Sequence, residues 1–217
     1  MAEMIESPES YFTDLRPAVS TQIKRLEAEA LVEGIPIVGP VMAQMLYVLA
    51  RATRSTRILE FGSAIGYSTI FLAAACKINN GILLTYENNT ALAERARANL
   101  AEAGLQAYAE VRCTDAILDV ATLNGSMDMI FLDIEKADYL SLLPWCKSLL
   151  SNHGLLVADN TGFTEAASFN HAIHNDPEWQ SVNLWSFLPG HSPNHDGFCL
   201  AVKTPSEINR NTNDRSV

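Results

Sequence analysis

From residue 56 onward, apolar runs of strand length alternate with amphipathic runs of helix length, and that rhythm leaves few folds open. The strand-like runs cover 57–61, 82–87, 107–112, 127–133 and 154–159. The helix-like runs between and after them cover 66–77, 90–103, 115–123, 136–150 and 164–175. Ile130-Phe131-Leu132 and Leu155-Leu156-Val157 lack the polar alternation of a half-exposed strand, as expected of parallel strands covered on both faces. Beyond 175 the rhythm breaks. Segments 179–188 and 197–203 both read as β, joined by Pro189-Gly190-His191-Ser192-Pro193-Asn194 with no helix between, so the last two strands should be antiparallel.

A sheet that closes on such a hairpin differs from an NAD-type doubly wound sheet, which continues βαβ to its end. At the level of the fold alone, the pattern resembles the Rossmann-like sheet of class I S-adenosylmethionine-dependent methyltransferases, mostly parallel with an antiparallel C-terminal hairpin. Ahead of it, Tyr11, Phe12, Leu15, Val19, Ile23, Leu26 and Ala30 keep helical spacing, broken near Pro17. Residues 34–40 read as an extended linker, and Val41, Met45, Leu46, Val48 and Leu49 give a second helix its apolar face. These N-terminal helices form an appendage, serving as a cap, a dimerisation surface or both. The expected organisation is 1–55 helical appendage, 56–203 cofactor-binding core and 204–217 disordered polar tail, all within one domain of 217 residues.

Charge narrows the function classes. Twenty-five acidic against fifteen basic residues give a net charge of −10, which disfavours broad adhesion to nucleic acid or anionic membrane. No apolar run is long enough to span a bilayer, and the acidic N-terminus does not read as a secretion signal. Cys76, Cys113, Cys146 and Cys199 lie far apart with no Cys-x-x-Cys pair, so they read as reduced, buried thiols of a cytoplasmic protein.

The chemistry-bearing residues fall where strands should end. Gly62 and Gly66 flank a turn between the first strand and its helix, where an open α/β sheet receives a nucleotide-like ligand. Taken alone, the pair fits a tight turn without a ligand equally well. Glu87 ends the second strand 25 residues after Gly62, the right distance for its carboxylate to accept hydrogen bonds from ribose hydroxyls. Asp115 opens the helix after the third strand, either as its N-cap or facing an adenine edge. Asp133 closes the fourth strand and Asp159-Asn160 the fifth. One such aspartate usually caps a helix; together the three make an all-oxygen set suited to Mg²⁺, Mn²⁺ or Ca²⁺. Lys136 follows Asp133 by three residues and could swing back toward that set, although spacing alone fits a solvated lysine better.

Taken together, Glu60-Phe61-Gly62-Ser63-Ala64-Ile65-Gly66-Tyr67-Ser68, Glu87, Asp133-x-x-Lys136-x-x-Tyr139 and Ala158-Asp159-Asn160 resemble the metal-dependent O-methyltransferases, the family of catechol and caffeoyl-coenzyme A O-methyltransferases. The segment from Glu29-Ala30 to Ile35-Pro36-Ile37-Val38 is most similar to the bacterial branch, some of whose members methylate 5-hydroxyuridine in tRNA. The resemblance implies that Gly62, Ser63, Gly66 and Ser68, with Tyr67 beside them, line the methionine end of S-adenosylmethionine. Glu87 would hold its ribose, Val38 its mouth and Asp133 its amino group, while Glu60 orients the glycine turn. Asp133, Asp159 and Asn160 would bind the metal, and Lys136 would be the general base. Two departures stand out: Thr161-Gly162-Phe163-Thr164 replaces a longer apolar stretch, and the closing hairpin carries His191 and His195, expected as loop residues beside Asp196-Gly197.

The substrate this implies is a small catechol-like or hydroxylated aromatic molecule, acted on by a homodimer. A wobble uridine of tRNA is the alternative, which a basic strip from Arg16, Lys24, Arg25, Arg51 or Arg54 beside the metal would favour. An NAD-dependent oxidoreductase and a non-catalytic cofactor-binding protein rank lower.

Overall fold

A computed structural model describes residues 3–205. Met1, Ala2 and residues 206–217, most of the expected polar tail, lie outside the described residues. Three helices come first: α1 (Pro8–Asp14), α2 (Thr21–Glu33) and α3 (Gly39–Ala52). The alternating part follows with β1 (Arg57–Phe61), α4 (Tyr67–Asn79), β2 (Ile82–Glu87), α5 (Thr90–Glu102), β3 (Ala109–Cys113) and α6 (Ala116–Asp119). It continues with β4 (Met127–Leu132), α7 (Tyr139–Leu149), β5 (Leu150–Ala158), α8 (Ala167–Asn175), β6 (Trp179–Phe187) and β7 (His195–Lys203).

The seven strands form one sheet in the order β3-β2-β1-β4-β5-β7-β6. β1 to β5 pair in parallel, and β7 runs antiparallel to both β5 and β6. The chain builds outward from β1 to β3, then returns to lay β4 on the other side of β1. That reversal opens a crevice over the carboxyl ends of β1 and β4. Register decides what lines it. Phe61 pairs with Tyr86 and Leu132, and Leu132 pairs with Ala158. The next residues, Gly62, Glu87, Asp133 and Asp159, therefore leave the sheet at one level.

Both faces of the sheet are covered, which explains the uninterrupted apolar strands. Ile58, Leu83, Met129, Phe131 and Val157 pack beneath α2 to α5, whereas Leu59, Phe61, Ile130, Leu132 and Leu156 pack beneath α6 to α8. Each fully buried Leu, Ile or Phe contributes roughly 1.5–3 kcal/mol relative to an exposed one. Local signals agree with the packing. Ser20 caps α2 by accepting from the Ile23 N–H at 3.2 Å, and Gly34 ends it at φ +68°. Asn89 caps α5 by accepting from the Ala91 and Leu92 amides.

Several expectations need correction. α1 buries none of its residues, and Tyr11, Phe12 and Leu15 stay exposed. On α3, Leu46 is buried and Val41, Met45 and Leu49 pack against the core as expected, but Val48 faces out and Met42, Ala43 and Ala50 complete the buried stripe. Small alanines admit close helix contact, so the buried face sits slightly round from the bulkiest residues. The linker ends at 38, since Gly39 at φ +68° already opens α3. β5 begins at Leu150, directly after α7, four residues earlier than expected. The expected helix 115–123 is the four-residue α6 followed by a 3-10 turn. Cys113 is exposed at the end of β3, and the other three cysteines are buried. Among the described residues no helix is long and apolar enough to cross a membrane.

Candidate active site

The crevice is a cavity of about 460 Å³, a volume suited to a nucleotide-sized ligand. Val38, Gly62, Ser63, Tyr67, Ser68, Glu87, Asp115, Asp133, Lys136, Asp159 and Asn160 all line it. Glu60 and Gly66 do not. Glu60 is wholly buried behind the turn, where its two oxygens accept from Ser68 Oγ at 2.6 Å and Thr69 Oγ1 at 2.7 Å. It holds the start of α4, and burial pushes its carboxyl up to about 7. Gly66 sits at φ +86° as the N-cap of α4, where a Cβ would lie 3.1 Å from Ala96 Cα.

Gly62 does line the cavity, yet packing dictates the glycine. At φ +95° a Cβ there would overlap the Asp133 carbonyl oxygen at the end of β4. The two glycines of the motif are thus required by strand and helix approach. What faces a ligand is the rest of the turn. The Ser63 hydroxyl is buried in it without a hydrogen-bond partner among the described residues. Glu87 accepts the Ala64 N–H and the Asn89 N–H at 2.8 Å each, which pins its carboxylate between the glycine turn and the start of α5. Tyr67 donates to Glu27 Oε1 at 2.6 Å, tying the turn to α2. Asp115 accepts from the Ile117 N–H at 2.8 Å, so it caps α6 while its residue also borders the cavity.

At the other end of the cavity stand the acidic residues that follow β4 and β5. Tyr139 fixes this edge: its hydroxyl lies 3.1 Å from the carbonyls of both Leu132 and Asp159. Lys136 Nζ is 3.2 Å from Asp133 Oδ1. Burial and the neighbouring Asp159 carboxylate raise the Asp133 carboxyl to about 6, against the pull of Lys136. Asn160 adopts φ +50°, a left-handed conformation that asparagine tolerates. Its Nδ2 donates to Asp196 Oδ2 at 2.6 Å. Asp159 Oδ1 is buried and has no hydrogen-bond partner among the described residues.

Sequence reasoning missed His191. Its side chain is 1% exposed, with Nε2 at 2.8 Å from Asp159 Oδ2 and Nδ1 at 2.7 Å from the Pro193 carbonyl. Burial pulls its pKa down, but the hydrogen bond and charge of Asp159 and the Pro193 carbonyl leave it raised. Thirty-two residues separate it from Asp159, and the length of the hairpin loop was the only hint. His195, by contrast, lies on the surface 3.1 Å from Glu9.

A divalent ion fits this corner in chemistry: two carboxylates crowd each other, one buried carboxylate oxygen lacks a partner, and Asn160 adds a neutral oxygen. Among the described residues no three His, Cys, Asp or Glu side chains group as a metal site, so the set depends on the asparagine.

Comparison with known proteins agrees with this geometry. A family profile described as a methyltransferase domain matches residues 59–161. A catechol O-methyltransferase of Niastella koreensis is 32% identical over 164 residues, covering 73% of this chain and 74% of that protein. One of Mycobacterium tuberculosis is 34% identical over 118 residues, covering 54% of this chain and 53% of its own length. The crystal structure of the O-methyltransferase TomG from Streptomyces achromogenes, in complex with S-adenosylmethionine, superposes with a TM-score of 0.82 at 26% identity, over 93% of this chain and all of that one. The crevice at the β1/β4 switch point, the carboxylate level with its glycine turn and these relatives together place the chain in the class I S-adenosylmethionine-dependent O-methyltransferases of the catechol and caffeoyl-coenzyme A type.

Proposed function

We propose that this O-methyltransferase requires a divalent metal and acts on a catechol-like small molecule. The observation that carries the reading is the corner at the ends of β4 and β5, where Asp133, Asp159 and Asn160 converge on the cavity and Asp159 Oδ1 stands buried and unpartnered among the described residues. When bound there, a divalent ion supplies Lewis-acid polarisation and a template for two adjacent substrate oxygens. Asp133, Asp159 and Asn160 would hold it.

The chain's own residues do the rest. Glu87, pinned by two backbone amides, receives the ribose hydroxyls, and the Ser63 hydroxyl is free to meet the methionine end. Lys136, beside Asp133, takes the proton from the substrate hydroxyl. The hydroxyl oxygen then attacks in line, its bond to the methyl carbon forming as the sulfur–methyl bond breaks. Most of the rate enhancement comes from holding the oxygen and the methyl group at attack distance.

Charge favours a small phenol over tRNA. Glu87, Asp115, Glu135 and Asp138 border the cavity with the two metal-site aspartates, whereas Arg16, Lys24, Arg25, Arg51 and Arg54 do not border it. Arg25 is paired with Glu29 and Glu102 at 2.6 Å each. A polyanion would meet repulsion at this rim. The test is methyl transfer from labelled S-adenosylmethionine to caffeic acid, with Mg²⁺ and with chelator. Turnover abolished by chelator and by Asp159→Ala is the expected result; chelator-resistant turnover refutes the metal, and transfer to tRNA alone refutes the small phenol.

A further inference from the structure

The hairpin of β6 and β7 reaches both residues that follow β5 in the proposed metal corner, His191 from its loop and Asp196 from β7, and the role assigned to them rests on the metal reading. His191 places Nε2 on one oxygen of Asp159 and Nδ1 on the Pro193 carbonyl. Both neighbours are acceptors, so each ring nitrogen must carry a proton. No ring nitrogen is left to receive one from a substrate, which rules out a general-base role in this arrangement. The consequence falls on Asp159 instead. With Oδ2 held, its rotation is arrested and Oδ1 remains as the carboxylate's free oxygen, buried and without a partner among the described residues.

Asp196, at the start of β7 just past that loop, treats Asn160 alike. An aspartate oxygen can only accept, so the Asn160 atom 2.6 Å away is the amide nitrogen, and the carbonyl oxygen is turned the other way. Asp196 is itself fixed by the Gly162 N–H at 3.2 Å and the Gly197 N–H at 2.6 Å. A Cβ at Gly162 would lie 2.6 Å from Asp196 Oδ1 and from the Trp185 ring, so a side chain there would displace Asp196.

We propose that His191 is a positioning residue of the metal site: it grips Asp159 by one oxygen so that the other is presented to a divalent cation, while Asp196 orients Asn160. Carboxylate ligands in metalloenzymes are held by such outer partners, whose loss typically weakens metal binding by about 10–100-fold. This assigns a specific role to the long hairpin loop and explains why a buried, doubly hydrogen-bonded histidine lies on an aspartate beside the cavity.

The experiment is titration of the full chain with Mn²⁺, free ion read by electron paramagnetic resonance, alongside calorimetry with S-adenosylmethionine. His191→Ala and His191→Phe, which keeps a ring and removes both donors, should each weaken Mn²⁺ about 10–100-fold and leave S-adenosylmethionine affinity unchanged. His191→Gln, whose amide N–H can reach the same carboxylate oxygen, should recover most of the loss. At saturating metal kcat should return, so the defect appears in the metal concentration required. Wild-type Mn²⁺ affinity in the Ala and Phe variants overturns this inference alone. Tighter binding in them also overturns it, by making His191 a competitor of the cation. A wild-type protein that binds no Mn²⁺ overturns the metal reading and this inference with it.

Discussion

Replacing Glu60 with glutamine should flatten part of the pH dependence of stability. The wild-type carboxyl is fully buried against the Ser68 and Thr69 hydroxyls, and desolvation raises it from 4.5 to about 7. A carboxyl raised on folding binds its proton more tightly in the native state. Stability is therefore highest where both states are protonated, and it falls as pH rises from about 4.5 through 7. Between those two values the unfolded chain has released a proton that the native state retains, and each pH unit then costs about 1.4 kcal/mol. Integrating the two titrations gives a loss of about 2.5 kcal/mol between pH 5 and pH 8. Glutamine has no proton to lose, and its amide can exchange hydrogen bonds with both hydroxyls. The assay is urea denaturation of wild type and Glu60→Gln at pH 5, 6, 7 and 8 in chelator. The difference in unfolding free energy should move in favour of the variant by about 2.5 kcal/mol across that range. Groups that do not interact with Glu60 cancel; Asp133, whose charge helps raise the Glu60 carboxyl, is the neighbour whose titration shifts with it. A difference constant to within about 0.5 kcal/mol over the whole range refutes the reasoning, because it would mean that Glu60 stays ionised or reaches water.

At the glycine turn, Gly62→Ala combines positive φ with overlap on the Asp133 carbonyl, so it should cost about 2 kcal/mol or more of stability by thermal denaturation and displace the turn from S-adenosylmethionine. Wild-type stability in that variant would mean that β4 yields at its end. Lys136→Ala should lower kcat by roughly 10²–10⁴-fold while S-adenosylmethionine affinity by calorimetry stays the same, since the lysine touches Asp133 and not the turn. An unchanged kcat would show that the proton leaves by another route.

Strand and helix positions were legible because their cause is local. Apolar runs at strand length and helical spacing need only near neighbours in the chain, and all seven strands fall within a few residues of where the sequence places them. The closing hairpin was legible for the same reason, since a helix would have shown its own period. Boundaries set by packing were less so: β5 starts early because Leu150 continues straight from α7 and pairs with Met127. On α3 only Val48 was misread, while the buried alanines went unmarked because the pattern registers large residues.

Among the site residues, Glu87, Asp133, Asp159 and Asn160 stand on the cavity where their places at strand ends put them, and Lys136, whose spacing alone fitted a solvated lysine better, reaches it too. Strand-end position follows from period and length, and parallel register then levels all the ends. Gly66 fell outside the cavity, and Glu60 stands behind the turn, as expected of a residue that orients it. By itself the sequence determined the α/β order, the antiparallel close and the carboxylates at the sheet edge. The tertiary structure alone decided what each carboxylate touches. His191 meets Asp159 and Asp196 meets Asn160 across separations of 32 and 36 residues, through a loop with no period to read. Such contacts depend on where a hairpin folds over a finished sheet edge, and no local preference of the chain encodes that.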